Sequence, residues 1–165
     1  MTSFVERVAG AAHTMRELFA ATPLQENDYL SKKYGARVLL KREDLTPVRS
    51  YKIRGAFNFF RKAIAAGNDA ELFVCASAGN HAQGFAFVCR HLGKKGVVFM
   101  PVTTPQQKID KTKLFGGAFV EIRLFGDFFD DCYRAALDFA EASGARMVPP
   151  FDHKDIIEGQ ATVGW

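Results

Sequence analysis

The alternation of short apolar runs with longer helical segments constrains the fold more than any other feature of the sequence. In the helical segments apolar residues recur every three or four positions, and these segments are 53–67, 81–93, 105–117 and 128–144. The predicted strands between them are 72–76, 96–100, 118–122 and 145–150, and the first of these, LFVCA, is a continuous apolar run, as is typical of a strand buried on both faces. Strands that alternate with helices form βαβ units, so the sequence predicts an α/β fold: a parallel sheet of about four strands with helices on both faces.

The residues on either side of this alternating region follow a different pattern. Residues 4–22 predict an amphipathic helix that ends at Pro23, and residues 36–44 predict a strand that leads into a charged loop. Residues 155–165 begin like a helix and then stop at the only tryptophan of the chain, Trp165. Because a single apolar ring is an unusual way to end a domain, we expect the chain to be cut short relative to a longer relative.

The charge and hydropathy of the chain argue against nucleic-acid and membrane partners. The 22 basic and 18 acidic residues give a net charge of +4 and are interleaved along the chain, unlike a nucleic-acid-binding surface. No apolar run approaches the ~20 residues needed to span a bilayer, and the N-terminus lacks the apolar core of a signal peptide. Three widely spaced cysteines fit neither a disulfide framework nor a zinc site, so we expect reduced thiols, no metal and a cytoplasmic location.

Lys52 stands in the segment SYKIRGA, at the expected start of a helix, with Arg49 and Arg54 close by in the sequence. A lysine is nucleophilic only when its amine is neutral, and burial and nearby cations both favour the neutral form. We therefore expect Arg49 and Arg54 to lower the pKa of Lys52, so that its amine can condense with an aldehyde such as that of pyridoxal phosphate. The alternative is that Lys52 is simply one of 22 basic side chains, in the first turn of a helix.

The segment CASAGNHAQG, residues 75–84, joins a predicted buried strand to a helix through small residues. Small residues let backbone N–H groups approach a ligand closely, and a helix N-terminus offers free N–H groups to an anion. The loop also follows a parallel strand, at the end where open α/β sheets bind ligands. These features predict an anion-binding loop. The alternative is a plain turn in which Ser77 or Asn80 caps the helix and His81 serves in capping or packing.

Taken together, the two segments resemble the threonine/serine dehydratase family of pyridoxal-phosphate enzymes, which have the tryptophan-synthase-β-like fold of type II. The strongest resemblance lies in LKREDLTPVRSYKIRGA, followed some twenty residues later by ASAGNHAQG. It extends to MPVTTPQQKIDKTKLFGGAFVEI and PPFDHKDIIEGQATVG, and so covers almost the whole chain. Within this family, the segments are most similar to the biosynthetic threonine dehydratases.

This resemblance implies a role for each residue of the two segments. Lys52 carries pyridoxal phosphate through its amine and later moves the α-proton of the substrate. Tyr51 contributes its shape to the cofactor site, at a position where many relatives have phenylalanine, and Asn80 hydrogen-bonds the hydroxyl oxygen of the cofactor ring. The substrate carboxylate is held by five consecutive residues, Ser77, Ala78, Gly79, Asn80 and His81.

The activity implied by the resemblance is that of a threonine ammonia-lyase, a lyase of isoleucine biosynthesis. Such an enzyme converts L-threonine to 2-oxobutanoate, and L-serine to pyruvate, with release of ammonia, so the substrate is a small amino acid and the cofactor is pyridoxal phosphate. Three alternatives stay open: a serine racemase-like enzyme, a β-replacement enzyme, and a non-catalytic interaction module. The segment SYKIRGA favours a dehydratase over the cysteine-synthase branch but does not separate threonine from serine.

The resemblance also implies a division into domains. Residues 44–145 form the small α/β domain, whereas residues 1–43 and 146–165 are parts of a larger domain. The relatives hold the cofactor phosphate in a glycine-rich loop beyond the segments matched here. We therefore expect the chain alone to bind the cofactor weakly and to turn over little or no substrate. Apolar pieces without packing partners favour self-association, so we also expect a homo-oligomer.

Overall fold

The computed structural model describes residues 2–67 and 70–165, and its centre is a parallel sheet of four strands. The strands are β1 (Leu24–Glu26), β2 (Leu39–Lys41), β3 (Leu72–Ala76), β4 (Lys95–Met100), β5 (Val120–Leu124) and β6 (Arg146–Met147). The helices are α1 (Phe4–Thr14), α2 (Asp28–Tyr34), α3 (Lys52–Ala65), α4 (Asn80–Leu92), α5 (Gln106–Gly116), α6 (Phe129–Ser143) and α7 (Lys154–Ala161). The order in the parallel sheet is β5-β4-β3-β6, and β1 and β2 form a separate antiparallel pair.

Both faces of the parallel sheet are covered by helices, which confirms the α/β fold predicted from the sequence. On one face, Phe73 and Cys75 of β3 belong to the larger apolar core, together with residues of α3 and α4. On the other face, Val74 and Ala76 of β3 pack with Ala136 of α6. Successive residues of β3 thus point to opposite faces and are fully buried on both, which is why the strand is a continuous apolar run in the sequence.

The predicted elements of the alternating region agree closely with the structure, apart from two strands. The four helices are confirmed to within two residues at each end, and β3 and β4 to within one. The strand predicted over 118–122 begins two residues later, because Gly117, with a φ of +55°, ends α5 and starts a 3₁₀ turn. The strand predicted over 145–150 is reduced to the two residues of β6, because Pro149 and Pro150 have no N–H to donate to the sheet.

The structure also corrects two predictions for the N-terminal region. The helix predicted over 4–22 is too long, because α1 ends at Thr14 and a single 3₁₀ turn follows it. This turn brings Met15 and Phe19 onto the larger core, where Met15 is fully buried. The strand predicted over 36–44 contains only the three residues of β2, which pair with β1.

Helix α3 lies between α4 and α7, and two glycines allow this close packing. A Cβ atom on Gly84 of α4 would lie 2.9 Å from the backbone nitrogen of Ile53. A Cβ atom on Gly159 of α7 would lie 2.5 Å from the carbonyl oxygen of Arg54. Real Cβ atoms do not approach so closely, so only glycine fits at either position without a shift of the backbone. The first turn of α3 is therefore held from two sides.

Three findings complete the description of residues 2–67 and 70–165. No helix in these ranges combines the length and the apolar character that a membrane crossing requires. No group of three or more histidine, cysteine, aspartate or glutamate side chains in them could hold a metal ion. The cysteines, Cys75, Cys89 and Cys132, are free and buried. The domain boundaries near 44 and 145 stay a prediction, although β6, just past the second boundary, pairs with β3.

Candidate active site

Lys52 is the first residue of α3, and its amine is half-buried. Its Nζ donates a hydrogen bond to the carbonyl oxygen of Pro150 at 2.7 Å, and lies 5.4 and 5.8 Å from the ring centres of Tyr51 and Phe151. Burial lowers the pKa of Lys52 below its usual range, so the amine loses its proton more readily than that of an exposed lysine. The structure thus places a partly desolvated amine, bonded to a neutral carbonyl, at the position where the sequence predicted a reactive lysine.

The structure corrects the physical cause that the sequence suggested for this shift. Arg54 is fully buried, and its guanidinium donates to both carboxylate oxygens of Glu43, at 2.7 and 2.8 Å. Arg49 is exposed, and its charge acts on Asp44. Neither arginine contributes to the shift, since burial alone lowers the pKa of Lys52.

The loop between β3 and α4 leaves the start of the helix uncapped. Gly79 is the N-cap residue, and no side chain accepts a hydrogen bond from the first turn. The Ser77 hydroxyl instead accepts from the N–H of Gly79 at 3.1 Å, while the Ser77 N–H donates to the carbonyl oxygen of Phe99 in β4 at 3.0 Å. Ala78 is half-buried and Asn80 is exposed. Capping by Ser77 or Asn80 is therefore wrong, and no side chain among the described residues competes with an anion for the first N–H groups of α4.

His81, in the first turn of α4, is buried in the interior and is only 3% exposed. Its Nε2 lies 3.1 Å from the carbonyl oxygen of Val148, and its Nδ1 has no hydrogen-bond partner among the described residues. Burial lowers the pKa of His81 to about 4, and the neighbouring charge of Lys52 adds to this effect. The side chain is thus neutral at ordinary pH and packed inward, so a carboxylate at this position would meet the backbone N–H and not the ring.

Two positions that shape the site are missing from the sequence prediction, Gly84 and Pro150. Gly84 lets the second turn of α4 touch the start of α3, which brings the loop before α4 close to Lys52. Its place in a helix interior was a usable signal, because glycine there costs about 1 kcal/mol relative to alanine. Pro150 contributes a backbone carbonyl oxygen, and every residue type has one, so the sequence carries no comparable signal for it.

Comparison with known proteins identifies the family. Residues 15–165 match the family described as pyridoxal-phosphate dependent enzyme. The chain belongs to this family. The biosynthetic L-threonine dehydratase of Bacillus subtilis (strain 168) is 46% identical over 159 residues, which are 96% of this chain and 37% of that protein. The same enzyme of Mycobacterium leprae (strain TN) is 47% identical over 160 residues, 94% of this chain and 36% of that protein. The chain spans just over a third of the length of these curated relatives.

Solved structures of pyridoxal-phosphate-dependent enzymes share the fold. The processed form of threonine deaminase isoform 2 from Solanum lycopersicum matches with a TM-score of 0.86 and 34% identity, over 98% of this chain and 44% of that one. A pyridoxal 5'-phosphate-dependent aspartate racemase matches with a TM-score of 0.88 and 25% identity, over 99% of this chain and 51% of that one. These matches confirm the type II fold and the resemblance to the threonine dehydratases.

The residues of the site fit the aldehyde end of the family's cofactor. The amine of Lys52 has a carbonyl partner and a lowered pKa, and a neutral amine is the group that condenses with an aldehyde. The uncapped start of α4 offers N–H groups to a carboxylate or another anion close to that amine. Lys52 and the loop Ser77–His81 are therefore the residues of this chain that would hold pyridoxal phosphate and its substrate.

Proposed function

We propose that the protein represented by this chain is a threonine ammonia-lyase that dehydrates and deaminates L-threonine, and also L-serine. The products are 2-oxobutanoate or pyruvate and ammonia; the water lost from the substrate equals the water consumed in releasing ammonia, so the atoms balance. The identity of 46% to a biosynthetic threonine dehydratase over 96% of this chain supports this choice. The half-buried amine of Lys52, bonded only to a carbonyl oxygen among the described residues, is the observation on which the proposal rests.

We assign the following roles to the residues of the chain. Lys52 holds the cofactor covalently and then, as a free amine, takes the α-proton of the substrate at Nζ. Pyridoxal phosphate, when bound, supplies the conjugated ring that withdraws electrons from the α-carbon. Asn80 hydrogen-bonds the hydroxyl oxygen of the cofactor ring, and the aromatic ring of Tyr51 limits the space around the amine. The substrate carboxylate is held by Ser77, Ala78, Gly79, Asn80 and His81, chiefly through N–H groups at the start of α4.

A racemase is the second candidate, and one observation favours it. The aspartate racemase has the same fold with a TM-score of 0.88, so the architecture around Lys52 suits removal of an α-proton without loss of a β-substituent. Both reactions begin with proton removal at the α-carbon, and they differ in the bond that breaks next. Product analysis therefore separates the two candidates.

The first experiment measures the chemistry of Lys52 without requiring turnover. The chain is incubated with pyridoxal phosphate and cyanoborohydride, which converts the lysine adduct to a stable secondary amine, and peptide mass spectrometry gives the labelling rate at each lysine. We expect faster labelling of Lys52 than of Lys108, an exposed lysine of α5, because the amine of Lys52 is more readily neutral. Equal rates at the two lysines would contradict the proposal.

The second experiment measures the products formed from L-threonine and L-serine. The threonine ammonia-lyase releases 2-oxobutanoate and pyruvate, and a Lys52→Met variant releases neither. Conversion of L-serine to D-serine without a 2-oxo acid would instead support the racemase. Because we expect this chain alone to turn over little or no substrate, labelling of Lys52 without any change in either amino acid would support the non-catalytic interaction module only in a protein that also carries the glycine-rich phosphate loop.

Self-association is also a proposal, and it rests on apolar side chains at the surface. Phe128 is 74% exposed, Phe151 is 61% exposed and Trp165 is 55% exposed, and rings of this size are costly to leave in water. Light scattering after size exclusion measures the mass directly. A mass of 18.3 kDa at every concentration would contradict the homo-oligomer.

A further inference from the structure

The segment Val148–Pro150 connects the two functional parts of the site. The carbonyl oxygen of Pro150 accepts from the amine of Lys52 at 2.7 Å, and the carbonyl oxygen of Val148 lies 3.1 Å from Nε2 of His81. Lys52 begins α3 and His81 lies in the first turn of α4, so two helices contact one stretch of three residues. The position of the Lys52 amine is thus coupled to the position of His81 through a very short piece of backbone.

This segment has few hydrogen bonds of its own. Strand β6 ends at Met147, and the only sheet bond beyond it within the described residues runs from the N–H of Val148 to the carbonyl oxygen of Val74, at 2.8 Å. Pro149 and Pro150 have no N–H, so they form no further bond to β3. Their rings fix φ, however, and a stiff backbone passes a displacement of Val148 on to the carbonyl of Pro150. Side chains therefore supply the anchors that the backbone cannot: His81 at Val148, and Gln160 of α7, whose amide donates to the carbonyl oxygen of Pro150 at 3.4 Å.

The chemistry of this contact determines the tautomer of His81. A carbonyl oxygen only accepts hydrogen bonds, so Nε2 must carry the proton. The buried ring is neutral, which leaves Nδ1 without a proton. Because the single proton of the ring is bonded to Val148 and the unprotonated Nδ1 is buried, the ring neither gives a proton to a substrate nor takes one from it. Its role is therefore geometric and not that of an acid or a base.

We infer that His81 is a positioning residue, which fixes Val148–Pro150 through its Nε2–H and so holds the carbonyl oxygen that receives the amine of Lys52. This inference rests on the proposed function of Lys52. It differs from the carboxylate-binding role of the loop, which uses backbone N–H groups and needs no imidazole. Removing the donor should therefore change the reactivity of Lys52 even when no substrate is present.

A pair of variants tests the inference by the labelling of Lys52 with pyridoxal phosphate and cyanoborohydride. His81→Phe keeps a planar ring but has no donor, whereas His81→Gln places an N–H at a similar distance along the side chain. We expect His81→Phe to label Lys52 about tenfold more slowly, the effect of losing one buried hydrogen bond, and His81→Gln to restore most of the rate. The matched control is His91→Phe, an exposed histidine of the same helix, which should leave the rate unchanged.

The outcomes separate this inference from the proposed function. Wild-type labelling of Lys52 that is no faster than that of Lys108 would overturn the proposed function. Fast wild-type labelling that is equally fast in a folded His81→Phe variant, or that His81→Gln fails to restore, would overturn the positioning role alone. If His81→Phe does not fold, nitrogen NMR of the His81 ring in the wild-type chain tests the inference instead. We expect the Nε2–H tautomer and no titration of the ring between pH 5 and pH 8. An Nδ1–H tautomer would overturn the inference.

Discussion

Two lysines of α3, Lys52 and Lys62, experience opposite environments on one helix. Burial alone would lower the pKa of Lys62, but its bonds to Glu158 and Asp155 outweigh this effect and raise it. Lys52 has a carbonyl oxygen as its partner, and burial lowers its pKa. A carboxylate stabilises the ammonium form and a carbonyl does so much less, so the type of acceptor separates a structural cation from a reactive amine.

The contrast extends to Arg54, two residues after Lys52. Its guanidinium is fully buried and bonds to Glu43, to Thr22 at 3.0 Å and to Thr162 at 3.1 Å. These partners come from three separate parts of the chain, so Arg54 ties the N-terminal region and the end of α7 to α3. The first turn of α3 thus carries one cation that holds the fold together and one that is kept away from carboxylates.

The largest expected effect on stability comes from removing the structural cation, Arg54. Arg54→Met leaves Glu43 without its buried partner, and we expect a loss of about 3–4 kcal/mol in the free energy of unfolding, measured by urea denaturation. Arg61→Met is the control, because Arg61 pairs with Glu17 at an exposed position and should cost under about 1 kcal/mol. Equal costs for the two variants would contradict a structural role specific to Arg54.

The second prediction concerns His81, near the reactive amine of Lys52, and the dependence of protein stability on pH. The pKa of His81 is about 4 in the folded chain and about 6.5 when unfolded, so between these values the unfolded chain binds more protons. The contribution of His81 to the free energy of unfolding is therefore complete above pH 6.5. It falls by about 2–3 kcal/mol as the pH drops toward 4. The measurement is a series of urea titrations from pH 7 to pH 4.

The variant His81→Gln isolates this contribution from that of the carboxylates. Salt bridges such as Glu158 with Lys62 also weaken in acid, because bonding lowers the pKa of that carboxyl in spite of its burial. Glutamine does not titrate, so His81→Gln should lose less stability in acid than the wild type does. The same pH profile for both proteins would show that His81 is not a buried neutral ring.

How much of this arrangement the sequence predicts depends on the range of the interaction. The alternating pattern predicted β3, β4 and the four helices. A strand that is buried on both faces is a continuous apolar run, and a helix that packs with one face repeats its apolar residues every three or four positions. Lys52 and the loop before α4 stood out through local composition. The pairing of Arg54 with Glu43 was missed, and so was the bond from Lys52 to Pro150, because both join residues that only the tertiary fold brings together.

The third prediction sharpens the comparison at the contact between α3 and α4. Gly84→Ala places a methyl group against the backbone of Ile53, and we expect a loss of about 1–2 kcal/mol, with slower labelling of Lys52 because the start of α3 is displaced. Gly10→Ala is the matched control, since a Cβ there meets no atom within 4 Å and alanine favours the helix. A stabilising effect of both substitutions would refute the close approach at Gly84.

The smallest effect on stability is expected for the residue with the largest chemical role. Lys52→Met removes a partly desolvated amine that no carboxylate among the described residues stabilises, so the free energy of unfolding should change by under about 1 kcal/mol, or rise. Lys62→Met, on the same helix, takes a half-exposed ammonium away from two buried carboxylates, of which Glu158 keeps Arg7 as a partner, and should destabilise by about 1–2 kcal/mol. Of these two variants, only Lys52→Met should abolish the preferential labelling by pyridoxal phosphate at position 52. A larger stability loss in Lys52→Met than in Lys62→Met would mean that Lys52, too, is a structural cation.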